Sequence, residues 1–184
     1  MKYAEYYKEM HDKKMFKTWT SNTRTNYEDK HLYMIQGAMK ATRSKTLMDF
    51  GCGGAEQYTK GGVHKKMSVS QNDLFLYDPG VQKFNKRPDE IVDATISFDV
   101  FEHIPREELP EVLTYIFSHT RKFCYFVIFC GLAYKTLPNG ENAHCTIMSQ
   151  DNWKRFIEQY NVNEIPVMYS FRVPVDPKYN ILNL

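Results

Sequence analysis

Three aspartates stand at the ends of apolar runs in this chain: Asp49 after "KTLM", Asp78 after "LFLY" and Asp99 after "EIVDATISF". A buried run can end in Ser or Gly at lower electrostatic cost, so carboxylates repeated at such ends point to cationic or hydroxyl groups on a ligand. Asp49 is followed by "FGCGGA", with Gly51, Cys52 and Gly53 opening a glycine knot of the kind that lets backbone approach a nucleotide closely. Two histidines lie where an acceptor could be deprotonated: His144 in the turn-rich "LPNGENAH", and His103 next to Glu102 in "FEHIP". Imidazole is the side chain whose unperturbed pKa suits a general base near neutral pH. Each histidine has a plainer alternative, pinning a loop to the core or bonding backbone.

The glycine knot has to be assigned to a nucleotide. The dinucleotide fingerprint G-x-G-x-x-G requires glycines at 51, 53 and 56, and Glu56 occupies the third position. Asp49 also lies two residues before the place where a pyrophosphate would sit on a helix N-terminus, and it would repel that group. S-adenosyl-L-methionine (SAM) carries an ammonium and a sulfonium, both attracted by a carboxylate. Asp78, followed by Pro79, can accept the two ribose hydroxyls of either cofactor.

These residues need a scaffold, and the hydrophobic pattern supplies one. Tyr3, Tyr6, Tyr7 and Met10, then Leu32, Ile35 and Met39, recur at helical spacing and predict two leading helices within residues 1–44. "KTLMDF", "LFLY", "EIVDATISF" and the continuous apolar "FCYFVIF" read as buried strands, and "VNEIPVMYSFRVPV" as one or two more. Between them, Leu109, Val112, Leu113, Ile116 and Phe117 form one helical stripe. Trp153, Phe156, Ile157 and Tyr160 form another, behind Ser149 as its cap. Strands alternating with helices predict an α/β fold, a doubly wound Rossmann-like, mainly parallel sheet with helices on both faces. The stretch "GGVHKKMSVSQ" reads as an enlarged loop.

With those residues in place, "LMDFGCGGA" resembles the first motif of class I SAM-dependent methyltransferases. "DATISFDVFEHIP" is similar to the motif after their fourth strand, and "NAHCTIMSQDNWKRFIEQY" looks like their His-containing loop and last helix. The resemblance spans about residues 30–175. It implies SAM as cofactor, with Phe98, Asp99 and Val100 lying along it, and leading helices that lid the active site, where Tyr7 and His11 would meet substrate. Two departures stand out. Ala55 replaces the usual third glycine, and the gap from Asp78 to Asp93 is too short for the usual helix and third strand. A reduced region between the second and fourth strands is therefore expected, with adenine held by backbone and apolar contacts. Asp99, Glu102 and His103 could hold a divalent ion, but three such residues so close in sequence are only suggestive, and the expected site has no metal.

Composition bounds the rest. At 184 residues with 42% hydrophobic content, the chain fits a single domain over 1–184. No apolar run approaches the roughly 18 residues of a membrane span, and "MKYAEYYKEMHDKK" is too charged for a signal peptide, so a cytoplasmic protein without membrane contact is expected. The four cysteines show no CxxC pairing, which argues against disulfides and a zinc framework. The net charge of +2 is small, but residues 1–45 hold ten Lys or Arg against five Asp or Glu. Without an N-P-P-Y, D-P-P-Y or Pro-Cys motif, DNA-base methylation is disfavoured. The expected function is methyl transfer from SAM to an oxygen or nitrogen of a small molecule. RNA, met by Lys13, Lys14, Lys17 and Arg24, and a non-catalytic SAM-binding module are the alternatives.

Overall fold

The computed structural model describes residues 5–9 and 29–180. Residues 5–9 are helical (α1), and the remainder builds a five-stranded sheet in the order β2-β1-β3-β4-β5. The strands are β1 Leu47–Phe50, β2 Leu74–Tyr77, β3 Val92–Phe98, β4 Thr120–Phe129 and β5 Val167–Arg172, and every adjacent pair is parallel. β2 to β5 carry β-branched or aromatic residues along their length, and the four-residue β1 is buried throughout.

β4 shows how the sheet is covered. Phe123, Tyr125 and Val127 join one core cluster, while the alternating Cys124, Phe126 and Ile128 join a second. The first cluster takes Leu32, Ile35 and Met39 from α2 Asp29–Ala41, with Tyr58 of α3 Glu56–Thr59 and Val63 of α4 Val63–Lys66. The second takes the expected stripe of α5 Leu109–Ser118 and Trp153 and Ile157 of α6 Gln150–Glu158. Helices thus pack on both faces. Pro110 is accommodated in the first turn of α5, where an amide hydrogen would have no helical partner. Ser149 caps α6, its Oγ accepting the Asn152 amide at 3.3 Å.

Two local features bear on the expectations. Residues 78–91 contain one 3-10 turn, Gln82–Phe84, and no strand, so β2 is an edge strand among the described residues. The stretch read as an enlarged loop instead carries α4 and a 3-10 turn at Gln71–Asp73. Gly62, at φ +60°, turns the chain into α4, and burial of Val63 and Met67 in the first cluster holds that helix down. Among the described residues, no helix is long and apolar enough to cross a membrane.

Candidate functional site

Because all strands run the same way, their carboxyl ends share one rim, and register puts Phe50 beside Tyr77, Phe98 beside Val127, and Phe129 beside Arg172. The segments that follow are the Gly51–Ala55 loop, Asp78–Pro79, Asp99–His103, and residues 130–149. The rim therefore gathers most of the residues singled out from sequence.

The glycine loop is fixed by contacts on either side. Gly51 and Cys52 donate their amides to the Tyr77 carbonyl at 2.7 and 3.0 Å, and the Gly53 amide donates to Asp78 Oδ2 at 2.8 Å. Asp78 Oδ1 accepts from Gly80 at 2.9 Å, so both oxygens brace loop backbone. A carboxylate has about four acceptor sites, which leaves capacity for ligand hydroxyls. Gly51 sits at φ +86°, and a Cβ there would fall 2.2 Å from Val100 Cγ2, so only glycine permits this approach of β1 to the turn after β3. Ala55 adopts φ 55° and ψ 25°, the left-handed conformation that a glycine takes without cost. Cys52 is buried, its thiol directed at the Gly53 carbonyl at 3.4 Å.

Asp49 is fully buried, and its Oδ2 accepts Tyr58 Oη–H at 2.8 Å and Gln57 Nε2–H at 3.3 Å. Those bonds tie β1 to α3. Phe98 is also buried, its ring 5.6 Å from His31 and 5.8 Å from Tyr125, and Pro79 and Val100 are half-buried. His11 lies outside the described residues, as do Lys13, Lys14, Lys17 and Arg24.

The acidic and basic groups converge beyond β3 and β4. Asp99, at φ 51°, pairs through Oδ2 with Arg172 Nη1 at 2.5 Å, and its Oδ1 is buried without a hydrogen-bond partner. Glu102 lies in the 3-10 turn Phe101–His103 and is fully buried; Oε1 accepts the Phe129 amide at 3.1 Å, and Oε2 has no partner. Burial, then the charge of Asp99, pushes the Glu102 carboxyl well above the usual range.

His103 and His144 stack edge to face with ring centres 4.6 Å apart. His103 Nδ1 lies 2.8 Å from the Ala143 carbonyl and 2.5 Å from Tyr7 Oη, and Tyr7 donates to the same carbonyl at 2.9 Å. His144 Nδ1 donates to the Gly131 carbonyl at 2.6 Å. Burial lowers the pKa of His144, outweighing the Gly131 bond, so its ring is neutral at pH 7. The loop carrying it is shaped by Asn142, whose Oδ1 accepts the amides of Ala133 and His144, both at 2.9 Å.

The structure thus brings His103, His144, Asp99 and Tyr7 into one corner, beside the glycine loop and Asp78. Sequence reasoning missed Arg172, Asn142 and the Gly131 carbonyl. Arg172 carried a detectable signal, as a cation at the end of an apolar run; the Gly131 carbonyl is a main-chain group that no residue pattern marks, and Asn142 acts through side-chain bonds to loop backbone. A separate cleft of about 450 Å³ runs along the edge strand β2, lined by Leu74, Leu76, Lys83, Phe84 and Arg87 among others, and shares no residue with this corner. Comparison with protein-family models, curated proteins and solved structures gave no match.

Proposed function

We propose that this chain is a SAM-dependent methyltransferase with a doubly wound Rossmann-like sheet, transferring a methyl group to an oxygen or nitrogen of a small molecule. The observation that carries this reading is the loop Gly51–Ala55, held between β1 and α3 by the Asp78 carboxylate at the end of the neighbouring strand. The order β2-β1-β3 sends the chain from β1 to one side and then back to the other, which leaves a crevice at the carboxyl ends where such sheets take nucleotides. Glu56 in place of the third dinucleotide glycine favours SAM over a dinucleotide.

In this reading Asp78 accepts the ribose hydroxyls, the Gly51–Gly53 backbone faces the methionine part, and Phe98, Asp99 and Val100 flank the cofactor. SAM supplies the activated methyl group. His144 and His103 stand where an acceptor would enter, with Tyr7 of α1 against them. A neutral imidazole can take the acceptor's proton as the nucleophile bonds to the methyl carbon and the carbon–sulfur bond breaks to release S-adenosylhomocysteine. Aligning acceptor and methyl group and excluding water accounts for most of the expected acceleration.

The test is incubation of the full chain with methyl-labelled SAM and fractionated cell extract. Label in a small-molecule fraction, with matching S-adenosylhomocysteine, is the expected result. Label in RNA, with steep salt dependence, would reassign the acceptor, and bound SAM with no turnover in any fraction would leave a binding module instead. Asp78→Ala should weaken SAM binding about 10- to 100-fold, as loss of charge-assisted hydrogen bonds predicts; unchanged affinity would refute the cofactor assignment.

A further inference from the structure

We propose that Glu102, His103 and His144 form a binding site for one first-row divalent transition-metal ion. Each offers one ligand atom, and these atoms all lie within 4.8 Å of one another. Donors about 2.1 Å from a shared ion are about 3.4 Å apart in a tetrahedron and up to about 4.2 Å apart across an octahedron. The ligand atoms thus lie within about 1.5 Å of metal-bound separations.

The hydrogen bonds around the cluster fit a ligand set. Both histidines turn Nδ1 toward a main-chain carbonyl, His103 to Ala143 at 2.8 Å and His144 to Gly131 at 2.6 Å. An Nδ1–H donated to a carbonyl puts the lone pair on Nε2, which is how imidazoles are oriented when they bind metal. Tyr7 adds to that outer layer at His103. Glu102 provides the second, independent observation. It is fully buried, one oxygen accepts the Phe129 amide, and Oε2 has no hydrogen-bond partner. Asp99 Oδ1, buried on the same rim, also has none. The carboxylates of Glu102 and Asp99 repel each other, and among the described residues Arg172 reaches Asp99 Oδ2 and not Glu102. A divalent ion would neutralise the corner and satisfy Oε2.

Two imidazole nitrogens and one carboxylate oxygen suit zinc, cobalt, manganese or ferrous iron rather than magnesium or calcium, which prefer all-oxygen shells. Three protein ligands leave positions open for water or an acceptor hydroxyl, whose pKa the ion would lower. That catalytic use rests on the methyl-transfer reading, whereas ion binding does not. It also gives the two histidines a role in acceptor activation by holding the ion instead of taking the proton.

The experiment titrates Co²⁺ alone into chelator-stripped full chain, followed by visible ligand-field absorption and calorimetry, with S-adenosylhomocysteine affinity read on the same samples. Expected are saturation at one equivalent, at least 100-fold weaker binding in Glu102→Gln and His144→Ala, and about 10-fold weaker binding in Tyr7→Phe, the size of an outer-layer effect. Glu102→Gln keeps shape and an acceptor for the Phe129 amide, so it serves if His144→Ala does not fold by circular dichroism. Absence of saturable binding, equal Co²⁺ affinity in wild type and Glu102→Gln, or tighter binding of Mg²⁺ than Co²⁺ would overturn the proposal. Intact Co²⁺ binding in a chain that fails to bind S-adenosylhomocysteine would count against the methyl-transfer reading alone.

Discussion

Replacing Gly51 by alanine tests the geometry of the rim most directly. Gly51 has φ +86°, and an added Cβ would lie 2.2 Å from Val100 Cγ2, 3.0 Å from Cγ1 and 3.2 Å from Cβ. A left-handed conformation costs an L-residue about 1 to 2 kcal/mol, and overpacking that a neighbour must absorb costs about 1 to 3 kcal/mol more. Gly51→Ala should therefore destabilise the fold by about 3 kcal/mol. Val100→Ala removes the two nearest carbons and leaves Cβ at 3.2 Å, and because Val100 is only half-buried it should cost about 1 kcal/mol alone. In the Val100→Ala background most of the steric part disappears, and Gly51→Ala should cost about 1.5 to 2 kcal/mol, chiefly the dihedral part. Urea unfolding of the four proteins by circular dichroism, with a constant m value, yields the coupling as a double-mutant cycle. A Gly51→Ala effect below about 0.5 kcal/mol, or an additive cycle, would refute the close approach of the two segments.

Three other perturbations address the scaffold. Asp93 accepts the amides of Lys45 and Thr46 at 2.7 and 3.4 Å and pairs with Lys122 at 3.2 Å. Burial alone would raise its pKa, but those bonds outweigh burial and lower it. Its contribution is thus present above about pH 4 and lost as pH falls through the lowered folded value; Asp93→Ala should cost about 2 kcal/mol at pH 7 and progressively less as pH falls below about 4, measured by urea unfolding at each pH. Ser149→Ala removes the α6 cap and should cost about 1 kcal/mol in the same assay. Phe126→Ala, at a fully buried position in the second cluster, should cost about 3 to 5 kcal/mol, seen as a large drop in the denaturation midpoint.

Most of the elements and several of their ends were legible in local sequence pattern; α4, within a stretch read as loop, was not. Burial of Leu32, Ile35 and Met39 on α2, the α5 stripe and the Ser149 cap follow from periodicities and bonds within a few residues, so they can be read from local pattern. The carboxylates at or beside the ends of β1, β2 and β3, and the absence of a strand between Tyr77 and Val92, were readable for the same reason. Tertiary structure alone decided which of those residues meet. Asp49, read from sequence as facing a ligand's positive charge, has its Oδ2 bonded by Tyr58 and Gln57, because β1 is buried against α3. His144 reaches Glu102 and His103 only because β3 and β4 are adjacent in the sheet and Asn142 folds the following loop back over their ends. From sequence, Asp99, Glu102 and His103 were a local set that only suggested a divalent ion, and no metal was expected. The third ligand of the proposed site, His144, comes from a distant segment, and burial of Glu102 with an unsatisfied oxygen is a property of the packed corner that no residue pattern encodes.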